Sequence, residues 1–394
     1  MKISTTNLLR RVQHFSVTLL IIAGEVSGDM HAARLVQALR KRLPGVRFLG
    51  IGGDEMRSVG VETLYDIRDM AVMGLSEVLR RFPFFRRVFY DMLAQVKERR
   101  PDAVILVDYP GFNLRFAART HRLGIKTIYF ICPQVWAWKR SRIPKMARIL
   151  DRLITIFPFE KRHFEGTGLR VDFAGHPLVD EAVMTRSEPP AVLPWKGQPQ
   201  VALLPGSRRH EIRRILPVMW EAARRVERQF PEASFILAAH STETAEILKG
   251  RIAQFPSGPA RWAIVAGNTR QVLGQARGAM VASGTATVET ALMLCPMVIA
   301  YRMAAMTYWA ARMLVRTEHI GMVNIIAGRR LCPEFIQGQA SPSALADALA
   351  PFLREGPARD AMIQSLREVT RALGAGQAAE RAADSVVEEL EGSS

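Results

Sequence analysis

Two carboxylates stand where an apolar run stops and a turn begins: Glu25, in Gly24-Glu25-Val26-Ser27-Gly28-Asp29, and Asp108, in Asp108-Tyr109-Pro110-Gly111-Phe112-Asn113. A carboxylate at the end of a parallel strand meets whatever ligand lies beyond the sheet edge, and there it can serve as a general base. Glycine lets the first turn bend sharply, and the start of the following helix attracts anions. The same residues also read as plain turns, with Asp29 capping a helix and Asp108 preceding Pro110. A third loop, Cys132-Pro133-Gln134-Val135-Trp136-Ala137-Trp138, carries two closely spaced tryptophans that suit either a core or stacking on a sugar.

A second group of residues has the chemistry of anion binding. In Leu204-Pro205-Gly206-Ser207-Arg208-Arg209, backbone N–H groups of Gly206 and Ser207 and the planar fork of Arg208 suit a diphosphate leaving group without a metal. A helix starting near Arg209 adds a partial positive charge, although a surface turn explains the same residues. Ser283-Gly284-Thr285-Ala286-Thr287-Val288-Glu289 follows another apolar run and enters a helix. Glu289 is the only charge between Gly278 and Tyr301, so as a buried carboxylate it needs a partner. Either a ribose diol supplies one, with Ser283, Gly284 and Thr285 near phosphate, or an arginine does.

The segment Val72–Tyr90 differs in kind. Met73, Phe82, Phe84, Phe85 and Phe89 crowd beside Arg86 and Arg87, as on a surface that meets an anionic bilayer. An ordinary helix with solvated arginines is the rival, but Phe82-Pro83-Phe84-Phe85 is expected to break helical periodicity.

Several classes drop out. The Gly-x-Gly-x-x-Gly fingerprint and the Gly-Lys-Ser/Thr phosphate loop are both absent, which counts against a dehydrogenase and a P-loop ATPase. No metal-ligand spacing occurs, and no metal or cofactor is expected. Three scattered cysteines (Cys132, Cys295, Cys332) argue for a reducing compartment rather than a disulfide framework. The run Phe15–Ala23 lacks a signal-peptidase site, and Gly278–Tyr301 is broken by Ser283-Gly284-Thr285 and Pro296, so neither reads as a secretion signal or a span. A net charge of +17 favours an anionic partner, but the basic residues are dispersed and no nucleic-acid motif appears.

These loops need strands to carry them. Val17–Ala23, Arg47–Ile51, Ala103–Val107, Thr127–Ile131 and Leu153–Phe157 are apolar runs alternating with helical patterns. After the proline-rich stretch 187–199 the alternation resumes with Val201–Leu204, Ser234–Ala238, Ala263–Val265, Ala279–Ala282 and Met297–Ala300. The pattern predicts two α/β domains, each a doubly wound parallel sheet, over 1–186 and 200–340, joined by a linker over 187–199, with a helical tail over 341–394 that packs back on the first domain or is exchanged between subunits. Two such sheets facing a cleft is the layout of two-domain sugar-nucleotide glycosyltransferases (the GT-B type).

In order along the chain, these loops resemble the lipid-A-disaccharide synthase family. The matching pieces are Ala23–Asp29, Met73-Gly74, Asp108–Asn113, Pro133–Trp138, Phe157–Glu160, Gly175-His176-Pro177, Leu204–Arg208 and Ser283–Ala286, within residues 17 to 330. Gly111 departs from the pattern, standing where members often carry an acidic residue. The resemblance implies a UDP-2,3-diacylglucosamine donor and a 2,3-diacylglucosamine 1-phosphate acceptor. A β-1,6-linked disaccharide 1-phosphate would form with release of UDP. It further implies peripheral attachment to the cytoplasmic face of the inner membrane, and the helical tail permits a segment-exchanged homodimer. On this reading Asp108 is the first choice of base and Glu25 the second, with Arg208 stabilising the leaving group. Ser27, Gly28, Asp29, Asn113 and Trp136 are assigned to the acceptor side, and Asn324 matches a donor-site position while also fitting a helix cap. A UDP-N-acetylglucosamine 2-epimerase shares the architecture, and a membrane-docking protein without catalysis would share the basic patch.

Overall fold

The computed structural model describes residues 17–70, 81–304, 308 and 318–392. Met73 lies outside them. The chain forms two compact units, Met1–Pro177 with Gly376–Ser394, and Leu178–Ala375. Both are parallel-sheet α/β units.

The first unit is built on seven strands: β1 (Thr18–Ala23), β2 (Arg47–Gly52), β3 (Glu62–Asp66), β4 (Ala103–Val107), β5 (Lys126–Phe130), β6 (Arg152–Thr155) and β7 (Arg170–Phe173). Their order is β3-β2-β1-β4-β5-β6-β7, every pair parallel. β4 is buried along its whole length and β1 along nearly all of it, as helices on both faces require. The register aligns Ala23 with Val107, Val107 with Phe130, and Phe130 with Ile154. The loops that leave β1, β4, β5 and β6 therefore emerge in one row.

Helices α1 (Val26–Arg42), α2 (Phe82–Arg99) and α3 (Pro110–Arg122) flank this sheet. The expected break at Phe82-Pro83-Phe84-Phe85 does not occur, and α2 starts there instead. Proline in a first helical turn sacrifices only an N–H that has no intrahelical partner. Val88, Met92, Leu93 and Val96 then bury one face of α2. Phe84, Phe85 and Phe89, expected at a membrane surface, pack instead against the core, with Phe89 edge-on to Phe112 and Phe116 at 5.5 and 5.6 Å. Phe82 and Tyr90 remain about half exposed, beside exposed Arg86 and Arg87.

The second unit has six parallel strands in the order β10-β9-β8-β11-β12-β13. They are β8 (Gln200–Leu204), β9 (Ser234–Ala239), β10 (Trp262–Ala266), β11 (Gly278–Ala282), β12 (Met297–Tyr301) and β13 (Glu334–Ile336). Its helices include α4 (Pro177–Ser187), α5 (Arg209–Gln229), α6 (Thr242–Ile252), α7 (Thr269–Gln275), α8 (Thr285–Leu292), α9 (Met322–Ala327), α10 (Pro342–Leu353) and α11 (Pro357–Ala372). The proline-rich stretch lies along this unit: Trp195 Nε1 donates to Gln275 Oε1 at 3.1 Å, and the Lys196 N–H donates to Ser234 Oγ at 2.9 Å.

The last helix, α12 (Ala378–Glu391), belongs to the first unit and lies against α1. Lys41 and Arg42 pair with Glu380 and Asp384 on it. Buried Arg152 reaches Glu388 at 2.9 Å and Glu389 at 3.2 Å, so removing either side of that cluster would strand a buried charge.

Candidate active site

The loops after β1 and β4 are locked together by a ring and a glycine. The Tyr109 side chain covers Gly24 so closely that a Cβ there would lie 2.3 Å from the ring. Asp108 and Tyr109 both take left-handed backbone, with φ of 47° and 49°. Two successive non-glycine residues in that region cost roughly 1–2 kcal/mol each, and hydrogen bonds hold them there. Asn113 Nδ2 donates to the Asp108 carbonyl at 2.8 Å and to Val107 O at 3.2 Å; the Tyr129 hydroxyl also donates to the Asp108 carbonyl. The Asp108 N–H donates to Phe130 O at 3.1 Å.

The Asp108 carboxyl is thereby fixed at the sheet edge, half-buried. Burial, and then the charge of Glu25, push its pKa up from 3.8 to about 6, while a hydrogen bond from the Tyr109 N–H works the other way. Burial and Glu25 also raise the Tyr109 phenol. Glu25 itself is exposed at the N-cap of α1 in extended backbone. A carboxylate titrating near 6 is ionised at neutral pH yet basic enough to accept a proton, which is the balance a general base needs.

Deeper in the same row sits Glu160, fully buried. Its Oε1 accepts from Trp136 Nε1 at 3.1 Å and its Oε2 from the Phe157 N–H at 3.2 Å. Burial lifts it to about 8, so at neutral pH it holds a proton, and burial likewise raises the neighbouring Cys132 thiol. Trp136 is buried and stacked on His163 with rings 6.1 Å apart, so its indole is committed to the core rather than presented to a ligand. Sequence reasoning quoted Tyr109 and Glu160 within their loops without giving them a role, and passed over Tyr129. Glu160 had a signal in its place just beyond a strand end; the other two are known only from tertiary packing.

Other expected first-unit residues divide. Ser27 is exposed beside Glu25, and Gly28 is buried beneath it with a Cβ position 3.5 Å from Ala23 Cβ. Asp29 does not cap its own helix. Its carboxylate is buried and accepts from the N–H groups of Gly53, Glu55 and Met56 at 2.6, 3.1 and 3.3 Å, tying down the loop after β2. Asn113 is also buried, and it holds the Asp108 backbone.

In the second unit, Gly206 has φ of 108°, a conformation that favours glycine. The Ser207 and Arg208 N–H groups point together at the start of α5, and both donate to Glu211 Oε2 at 3.3 Å. Arg208 is exposed, with Nη1 3.4 Å from Glu211 Oε1. A carboxylate of the chain itself thus fills an anion cradle. Ser283 Oγ donates to Ile320 O at 3.0 Å, while Gly284 and Thr285 are exposed at the start of α8.

Two residues expected at the donor site have partners within the chain. Glu289 Oε1 lies 3.1 Å from Arg270, which also reaches Glu181 at 2.7 Å, so the arginine alternative is met, while Glu289 stays partly exposed. Asn324 is fully buried and saturated: Nδ2 donates to Cys332 O and Glu334 Oε1, and Oδ1 accepts from the N–H groups of Leu331 and Cys332. It staples the turn ahead of β13 and does not cap α9.

Known proteins with these features fall into two sets. By sequence, the lipid-A-disaccharide synthetase family model matches residues 19–390. The lipid-A-disaccharide synthase of Anaeromyxobacter sp. (strain K) is 41% identical over 373 residues, covering 94% of this chain and 96% of that one. That of Myxococcus xanthus (strain DK1622) is 38% identical over 379 residues, covering 94% and 97%. By structure, a putative UDP-N-acetylglucosamine 2-epimerase from Listeria monocytogenes superposes with a TM-score of 0.66 at 15% identity, covering 96% and 98% of the two chains. The calicheamicin glycosyltransferase CalG4 does so with a TM-score of 0.58 at 16% identity, covering 95% and 98%. At such identities these two likenesses show the fold of two parallel-sheet domains alone. The sequence match reaches further: this chain belongs to the lipid-A-disaccharide synthetase family, and its role is glycosyl transfer in lipid A disaccharide synthesis.

Proposed function

We propose that the protein transfers 2,3-diacylglucosamine from its UDP derivative to the 6-hydroxyl of 2,3-diacylglucosamine 1-phosphate by a single inverting displacement. The 6-oxygen attacks the anomeric carbon as the bond to UDP breaks, and Asp108 accepts the hydroxyl proton. UDP departs with its charge stabilised at the Ser207 and Arg208 N–H groups and the Arg208 side chain, once Glu211 has given way. Gly206 keeps that turn open, and Gly284 and Thr285 add a second helix start on the same unit.

The observation that carries this reading is the state of Asp108: a carboxyl at a strand end, held in strained backbone by Asn113 and Tyr129, with a pKa of about 6. A structural turn residue has no need of such an environment, whereas a base does. Glu25 serves as its electrostatic neighbour. The exposed face of α2, with Phe82, Arg86, Arg87 and Tyr90, supports peripheral attachment to the anionic cytoplasmic face of the inner membrane. Among the described residues no helix is long and apolar enough to cross a membrane.

Purified protein incubated with both lipid substrates should yield the tetraacyl disaccharide 1-phosphate and equimolar UDP by mass spectrometry. Release of UDP without disaccharide, or isomerisation of UDP-N-acetylglucosamine instead, would overturn the proposal.

A further inference from the structure

Several arginines in the second unit are neutralised by acidic partners. Arg224 pairs with Glu221, Arg261 with Glu232, Arg270 with Glu181 and Glu289, and Arg277 with Glu355. Three others, none of them ion-paired among the described residues, meet at one place. A groove of about 460 Å³ opens between the first turns of α5, the segment leaving β12 and the turn after β13. Arg213, Arg214 and Arg302 line it, with Pro217 and Met303 as its apolar part and no acidic side chain among its lining residues.

Arg302 is built in. Its Nε donates to Gln337 O at 3.2 Å and its Nη2 to Ala340 O at 2.8 Å, while Gln337 exchanges two hydrogen bonds with the Met303 backbone. Those partners are neutral, so they orient the guanidinium without cancelling its charge. Among the described residues neither Arg213 nor Arg214 has a hydrogen-bond or ion-pair partner. Three like charges around one groove repel one another and attract an anion. The guanidinium forks match phosphoryl oxygens, and the apolar part would accept the body to which the phosphoryl group is attached.

The groove is also placed for a ligand. Strand β12 and the turn after β13 bring Arg302 and Gln337 to the carboxyl edge of the sheet, where ligands of such sheets bind. Tyr301, the residue before Arg302, feels the charges of Glu211 and Arg208, so the groove adjoins the Gly206–Arg208 turn without sharing its N–H donors.

We propose that Arg213, Arg214 and Arg302 form a second phosphoryl-anion subsite on this unit, separate from the turn at Gly206–Arg208, that holds the phosphoryl group of a lipid-linked ligand. Two sources share that chemistry: the 1-phosphate of the acceptor and the headgroup of an anionic phospholipid. The first of these rests on the function proposed above, and the second does not.

The double variant Arg213→Ala/Arg214→Ala separates them, because both side chains lie at the surface or close to it and neither supports the fold through a hydrogen bond. Three measurements apply to the full chain: titration with diacylglucosamine 1-phosphate in detergent, flotation with phosphatidylglycerol vesicles, and titration with UDP. Losing charge-assisted bonds should weaken one phosphoryl ligand about tenfold or more. Weaker acceptor binding with UDP binding intact assigns the subsite to the acceptor. Weaker flotation with acceptor and UDP binding intact assigns it to the phospholipid. If both are unchanged, or if UDP binding falls in step, no separate subsite exists. Failure of the wild-type chain to bind UDP would instead sink the proposed function while leaving the flotation result readable.

Discussion

Replacing Asp108 by asparagine should stabilise the protein at neutral pH while removing its turnover. In the folded chain this carboxyl titrates at about 6, against an ordinary 3.8, because burial and then Glu25 disfavour its charge. The folded state therefore binds the proton more tightly than the unfolded state, and stability is lost as pH rises through that interval. At about 1.4 kcal/mol for each tenfold difference in proton affinity, a fully ionised Asp108 costs about 3 kcal/mol. Roughly half of that is lost by about pH 5 and nearly all by about pH 7. Asp108→Asn keeps the shape, retains an oxygen for the Tyr109 N–H and sheds the charge. Its melting temperature should exceed that of the wild type by several degrees at about pH 8, taking about 2–4 °C per kcal/mol for a domain of this size. The gap should close as pH falls towards about 4, where the native carboxyl is itself neutral. Turnover, followed by UDP release, should fall by about 10²–10⁴. Melting curves across this range are the decisive assay. A variant that melts no higher than wild type at about pH 8, or a gap indifferent to pH, would refute the argument from burial; full turnover would dismiss Asp108 as base.

Glu25→Gln removes the charge that helps to hold the Asp108 carboxyl high, so the acid limb of the pH–rate profile should move from about 6 to a lower pH; a fixed limb would show that the two groups do not interact. Glu211→Ala empties the N–H cradle at Ser207 and Arg208, and UDP, measured by titration calorimetry, should bind more tightly. Weaker binding would mean that Glu211 shapes the turn rather than competes for it. Asn324→Ala should lower stability by about 3 kcal/mol, because it leaves the Cys332 N–H and carbonyl without their side-chain partner and takes one donor from the Glu334 carboxylate. UDP affinity measured well below the melting point should stay unchanged, and a selective loss would return Asn324 to the donor site.

The parts of the fold that could be read from sequence are those whose physics is local. Continuous apolar runs such as Ala103–Val107 announce strands covered on both faces, and the central strands of both sheets fall where those runs lie. Strands β3, β7 and β13 gave no such signal. Each lies at a sheet edge, is three to five residues long and is polar in part (ETLYD, RVDF, EFI), so neither continuity nor alternation marks it. At the site, Asp108 and Arg208 were legible because strand ends and helix starts are local features. The partners of Asp29 and Asn324 were not, since folding brings them in as the N–H groups after β2 and the turn before β13; for Glu289 an arginine was one of two alternatives, and only folding names it as Arg270 on α7. A buried polar side chain reads alike from sequence whether its partner is a ligand or the chain.

That ambiguity is resolved by counting which polar atoms the fold has already satisfied. Asn324 and Asp29 spend their hydrogen-bonding capacity inside the protein, and a ligand could reach them only by breaking bonds already made. Asp108 is the opposite case. Asn113 and Tyr129 bond to its carbonyl and leave its carboxylate, which has one donor, the Tyr109 N–H, and a like charge nearby. Strained backbone, an under-bonded carboxylate and a second carboxylate beside it all oppose folding, so a purely structural turn at this place would be more stable without them. What they provide together is an oxygen at the sheet edge with raised affinity for a proton, which suits the step that a sugar hydroxyl requires when it attacks.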